Sequence, residues 1–177
     1  SGKIIAGHAI TEPQAGSDVN AIETQAIATD SGLLLTGHKR FITNTPIADA
    51  LLVYAKLEGK LSAFLVKKED AGANFSDQPS VSGCASATMG DVILQNCQIP
   101  LDRQLGKNGA GGMMIQNALE LERAFIFAGI IGIMQWQLQQ VIQYSRQRLV
   151  NGLHLGANQA ISHKIADMQC RVVSCLL

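Results

Sequence analysis

At 177 residues, 47% of them hydrophobic, the chain can enclose a sizeable core as one domain, or as one domain and part of a second. Its 14 Lys and Arg balance 14 Asp and Glu with no basic run, which excludes a nucleic-acid surface built on clustered positive charge. Cys84, Cys97, Cys170 and Cys175 form no C-x-x-C pair and no His stands at ligand spacing, so neither a metal nor a disulfide framework is expected.

Up to about Pro100, short apolar and β-branched runs alternate with turn signals. The run 3–10 comes first. The run 24–29 then leads through Asp30-Ser31-Gly32 into 33–36, and the runs 50–57 and 61–67 flank Glu58-Gly59-Lys60, a hairpin signature. A further strand is expected over 86–94, ending at a turn over 96–100. This spacing, with no helical period between the strands, points to an antiparallel, barrel-like or sandwich β-domain over 1–105.

After Gly109-Ala110-Gly111-Gly112 the period changes. Met114, Ala118, Leu121, Phe125 and Ala128 recur at helical steps, as do Leu119, Ile126, Ile130 and Ile133. The apolar stretch 124–134 falls far short of the ~20 residues of a membrane span and reads as a buried helix, polar beyond Gln135. A second helix is expected from about Asn158, with Ile161, Ile165, Met168 and Val172 on one face. Residues 106–177 therefore open a helical domain, and the fold class is α+β. Both ends read as cut, no targeting segment is visible, and reduced thiols suit the cytoplasm or a mitochondrial matrix.

Thr11-Glu12-Pro13-Gln14-Ala15-Gly16-Ser17-Asp18 follows the first strand and, alone, reads equally well as a surface turn. Other segments follow it in order: Gly37-His38-Lys39-Arg40-Phe41-Ile42-Thr43-Asn44, Ser86-x-Thr88, Gln98-Ile99-Pro100, Leu121-Glu122-Arg123, Arg148 and Gln159. Together they resemble the acyl-CoA dehydrogenase family along essentially the whole chain. The resemblance implies FAD as cofactor, with His8, Ala9 and Ile10 as the strand lying against the flavin. It implies Thr11 and Thr43 at the flavin's polar edge, and Phe41 and Ile42 beside the ring. Ser17 would sit by the cofactor or by the pantetheine arm, and Ser86 near the CoA moiety. Arg148, with Asn158 and Gln159, would reach the FAD pyrophosphate of a neighbouring subunit.

Glu122 interrupts an apolar stripe, with Leu119, Ile126 and Ile130 at helical spacing around it. A carboxylate in such a setting suits general-base work. Leu121-Glu122-Arg123 also resembles the isovaleryl and long-chain branches, whose catalytic glutamate sits on this helix. By the same resemblance Glu120 meets the pantetheine, and Arg123 contacts the substrate region or holds the glutamates. The chain departs from the family at Arg148-Leu149-Val150-Asn151-Gly152, where the usual R-x-x-F-G has lost its aromatic residue.

The implied activity is α,β-dehydrogenation of an acyl-CoA, with electron-transfer flavoprotein or another acceptor as partner, in a homodimer or homotetramer without membrane or nucleic acid. An acyl-carrier-protein thioester as substrate, a flavin monooxygenase or oxidase on the same fold, and a non-catalytic fragment are the alternatives.

Overall fold

A computed structural model describes residues 2–77, 82–84 and 86–176. The chain forms two compact units, Ser1–Asn117 and Ala118–Leu177.

The first unit holds one mixed sheet of β1 (Ala6–Ala9), β2 (Gln25–Thr29), β3 (Gly32–Thr43), β4 (Ala50–Leu57), β5 (Lys60–Lys67), β6 (Ala73–Phe75), β7 (Met89–Ile99) and β8 (Gln104–Leu105). Its order is β6-β7-β3-β2-β4-β5-β8, with β1 also paired to β4. No pair joins β6 to β8 among the described residues, so the path to a barrel is not closed by hydrogen bonds there. The expectation of an all-antiparallel sheet is corrected, because β1 and β2 both run parallel to β4. They share one edge of it, β1 along Ala50–Val53 and β2 at Lys56 and Leu57. The segment between them, 10–24, leaves the sheet in the gap.

The hairpin of β4 and β5 follows from its turn, since Glu58 and Gly59 both adopt positive φ (51° and 74°), the type I′ geometry that matches strand twist. β3 runs on through Thr43, beyond the expected stop at Thr36, and stays paired with β7 through two register irregularities. β7 begins at Met89 instead of residue 86 and passes the expected turn. Asn96, at φ 49°, is absorbed there as a bulge whose backbone N–H donates to Thr36 Oγ1. Alternate residues of these strands, including Leu33, Leu35, Leu51, Val53, Phe64, Val66, Val92 and Leu94, bury their side chains in one core. Each contributes roughly 1.5–3 kcal/mol relative to exposure.

Helix α1 (Gly111–Phe125) starts on the first unit, where Ile115 is buried. The sequence division at 105/106 coincides with the end of β8, and by compactness the chain divides later, after the first turns of α1. The second unit continues with α2 (Ala128–Gln147), the short hairpin β9 (Leu149–Val150) and β10 (Leu153–His154), and α3 (Gln159–Leu176). α3 packs on α2, with Leu138, Ser145 and Val172 buried. The expected long helix is broken at Ile126 and Phe127. Its apolar stretch is not buried: Phe125, Ile126, Phe127, Ile130 and Ile133 are exposed, because no element among the described residues covers them. By length and composition alone, Gly111–Gln147 is apolar enough to cross a membrane, although Glu120, Glu122 and Arg123 interrupt it.

Candidate functional site

Where segment 10–24 leaves the sheet, its third residue turns inward. Glu12 is 4% exposed and Lys39, from β3, is fully buried. Lys39 Nζ donates to Glu12 Oε1 at 2.7 Å and to the Ile10 carbonyl at 3.1 Å. The same carboxylate oxygen accepts from Thr24 N at 3.1 Å and from Thr24 Oγ1, while Oε2 accepts from Glu23 N and Gln14 Nε2, both at 2.7 Å. Burial pushes the carboxyl upward, but the hydrogen bonds from Lys39, Thr24 and Glu23 outweigh it, so its pKa settles below the ordinary 4.5. Burial likewise pulls Lys39 down, to about 8, against the opposing pull of Glu12.

Gly37 makes room for this cluster. A Cβ there would lie 2.7 Å from Thr24 Cβ and Cγ2, and nearer still to Oγ1. Two motif segments thus meet for a physical reason: Gly37 and Lys39 of the second serve the glutamate of the first. Neither Glu12 nor Lys39 figured among the sequence candidates. Their letters stood in both motifs, but nothing in periodicity shows that two charged residues face inward.

The segments carrying the flavin candidates are also joined through backbone. Arg40 N donates to the Thr11 carbonyl at 2.8 Å. Gly7 lies so close to the end of β3 that a Cβ would stand 2.7 Å from the Thr43 carbonyl. The second irregularity of β3 contains Phe41 at φ 59°, a left-handed conformation costly for a bulky residue. The bulge turns the Phe41 ring outward, 53% exposed, with the Arg40 guanidinium 5.0 Å from its centroid.

His8, Phe41 and Thr43 are exposed, and Ile10 and Thr11 are half-buried. Ala9 and Ile42 differ, for both side chains lie in the core, which leaves only their backbone groups for a ligand. The His8 ring stacks near Tyr54, its Nδ1 3.3 Å from the buried Tyr54 hydroxyl, whose pKa burial raises. Ser17 and Ser86 are exposed. Thr88 carries the one buried side-chain polar atom without a hydrogen-bond partner among the described residues, while its carbonyl accepts from Asn44 N at 2.7 Å. An unsatisfied hydroxyl beside the Phe41–Asn44 segment fits a place prepared for a polar ligand.

In the second unit, Glu120, Glu122 and Arg123 are exposed on α1, so the expected burial of Glu122 is corrected. The helical neighbours that frame Glu122 are present, Leu119 half-buried and Ile126 and Ile130 exposed. Arg148 caps α2, its carbonyl accepting from Leu155 N at 2.8 Å. Asn158 Oδ1 accepts from Ala160 N at 2.9 Å as the N-cap of α3, and Gln159 begins that helix, exposed. The departure from R-x-x-F-G is a tight hairpin turn, with Asn151 and Gly152 at φ 52° and 80°. A groove of about 520 Å³ lies beside it, lined by Ser145, Arg146, His154, Ser162 and apolar neighbours. No group of three metal-ligating side chains occurs among the described residues.

The chain matches two family models, the acyl-CoA dehydrogenase middle domain over residues 7–97 and the acyl-CoA dehydrogenase C-terminal domain over 109–177. It is 37% identical to an L-prolyl-[peptidyl-carrier protein] dehydrogenase of Pseudomonas fluorescens, over 100% of this chain and 48% of that protein. It is 36% identical to the mitochondrial isovaleryl-CoA dehydrogenase of Arabidopsis thaliana, over 95% of this chain and 42% of that one. A solved structure described as PigA with FAD and proline superposes with a TM-score of 0.88 at 31% identity, covering 98% of this chain and 46% of that one. The chain thus spans about half the length of the curated relatives it matches.

Proposed function

The chain belongs to the acyl-CoA dehydrogenase family, and on that premise we propose that the protein carrying it binds FAD and oxidises an acyl thioester to its α,β-unsaturated form. The supporting observation is that segment 8–11 is tied to the residue just before segment 41–44 by the Arg40–Thr11 hydrogen bond, beside the unsatisfied Thr88 hydroxyl. When bound, FAD supplies the acceptor for the hydride lost from the β-carbon. Thr11 and Thr43 offer hydroxyls and amides where negative charge collects, the kind of preorganised donor that lowers a barrier most. Phe41 offers an apolar face. Glu122 takes the α-proton onto its carboxylate, so that proton and hydride leave the two carbons and a double bond forms between them. Arg148 and Gln159, with the Asn158 amide nitrogen left over from capping, are suited to a pyrophosphate.

A second reading places the acyl group on a carrier protein. It is favoured by the prolyl-carrier-protein dehydrogenases of Pseudomonas fluorescens and of a Serratia strain, which align with the whole chain at 37% and 32% identity. Anaerobic titration of the full-length protein with branched and straight acyl-CoAs, and with a prolyl thioester on a carrier protein, separates the two. Flavin bleaching by acyl-CoA supports the first reading, and bleaching by the carrier-bound prolyl group alone supports the second. A purified protein that takes up no flavin refutes both.

A further inference from the structure

Two opposite charges are buried together under the segment that bears Thr11, and the activity just proposed needs neither of them at a reacting atom. Each is costly to bury, and such pairs are weak contributors to stability compared with well-packed apolar groups of the same volume. Their geometry has a more specific consequence. Lys39 Nζ holds the Ile10 carbonyl and Glu12 Oε1, and the next residue of β3, Arg40, holds the Thr11 carbonyl. Directly after it come Phe41 in its left-handed bulge, Ile42 and Thr43. Glu12 is gripped from β3 by Lys39 and, at the entry to β2, by Thr24, with Gly37 leaving the space that Thr24 occupies. The five donors around one carboxylate leave it a single position.

We propose that Glu12 and Lys39 are positioning residues that set segment 8–11 against segment 41–44, fixing the spacing of the two sides of the flavin site. The inference rests on the flavin reading given above. An apolar or neutral pair can fill the same volume, but it cannot reproduce a carboxylate with five donors or an ammonium shared with the Ile10 carbonyl.

The test compares the full-length protein with Glu12→Gln/Lys39→Met, which removes both charges together, and with Glu12→Asp, which keeps the charge but withdraws it by one methylene. The measurements are the thermal midpoint, the FAD dissociation constant, the visible spectrum of bound flavin, and kcat and KM separately. The expected result is a folded protein whose FAD dissociation constant rises at least tenfold, with a shifted flavin spectrum and a fall in kcat that exceeds any change in KM. Lys39→Met alone is expected to be the least stable variant, since it strands a buried carboxylate. Unchanged flavin affinity, spectrum and kcat in either the double variant or Glu12→Asp overturns the inference and leaves the functional reading standing. A wild-type protein without flavin overturns both.

Discussion

Gly37→Ala probes the cluster without touching a charge. The added methyl would stand 2.7 Å from Thr24 Cβ and Cγ2, where ordinary contact needs well over 3 Å, and Thr24 is 1% exposed with no free space to retreat into. If the backbone gives way, the cost is that of overpacking, about 1–3 kcal/mol. If the Thr24 side chain gives way, its hydroxyl's hydrogen bond to the Glu12 carboxylate is lost, at about 1.5–3 kcal/mol for a bond to a charged group. Both partly happen, so a total of roughly 3–5 kcal/mol is expected, a fall in thermal midpoint on the order of 10 °C. The assay is thermal and urea unfolding of the wild type, Gly37→Ala, Thr24→Ala and the double variant. Thr24→Ala removes Oγ1 and Cγ2 but leaves the Cβ at 2.7 Å, so the alanine at 37 should cost less in that background than in the wild type without becoming free. A cost below about 1 kcal/mol, or the same cost in both backgrounds, would refute the argument that Gly37 acts through Thr24.

Glu122→Gln in the full-length protein should lower kcat by about 10²–10⁴ with FAD retained, and wild-type turnover would remove Glu122 as the base. Because the folded Glu12 pKa lies below its ordinary 4.5, the unfolded chain binds that proton more tightly. The stability Glu12 contributes is therefore complete above 4.5 and is lost as pH falls through the folded value, so thermal midpoints should drop more steeply with acid in the wild type than in Glu12→Gln. Burial pushes the Cys97 thiol up to about 11, while Cys84 is exposed. A disulfide reagent should label Cys84 in the native protein and Cys97 only after denaturation, as followed by mass spectrometry of the peptides.

What the sequence made legible was what local chemistry governs. The β4–β5 hairpin follows from Glu58-Gly59, and the start of α3 from a capping Asn158. The passage of β3 through Phe41 was hidden, because its two irregularities spoil the alternation that marks a strand. Ala9 and Ile42 were hidden for a different reason. Both lie in segments assigned to the flavin, yet their side chains face the core, a direction set by strand register and not by residue type. Glu12 and Lys39 carried the opposite disguise, since charge in a loop motif reads as solvated. The apolar stripe around Glu122 was read as buried, and in the described residues nothing lies over it. Periodicity reports that a face is apolar and is silent on what covers it.

The sharing of one β4 edge by β1 and β2 also imposes an order of assembly. The hairpins β2–β3 and β4–β5 close through two-residue turns, and such units form within microseconds. β1 reaches its place only by pairing Ala6–Ala9 with Ala50–Val53, a long-range closure whose entropy is recovered only once β4 is laid down. β1 is therefore expected to dock after the two hairpins, and the segment that follows it is sealed with it. On that order the carboxylate and the ammonium beneath it stay hydrated until β1 docks. Water is stripped from the two charges only in the step that brings them within reach of each other, so neither is left dry and alone along the way.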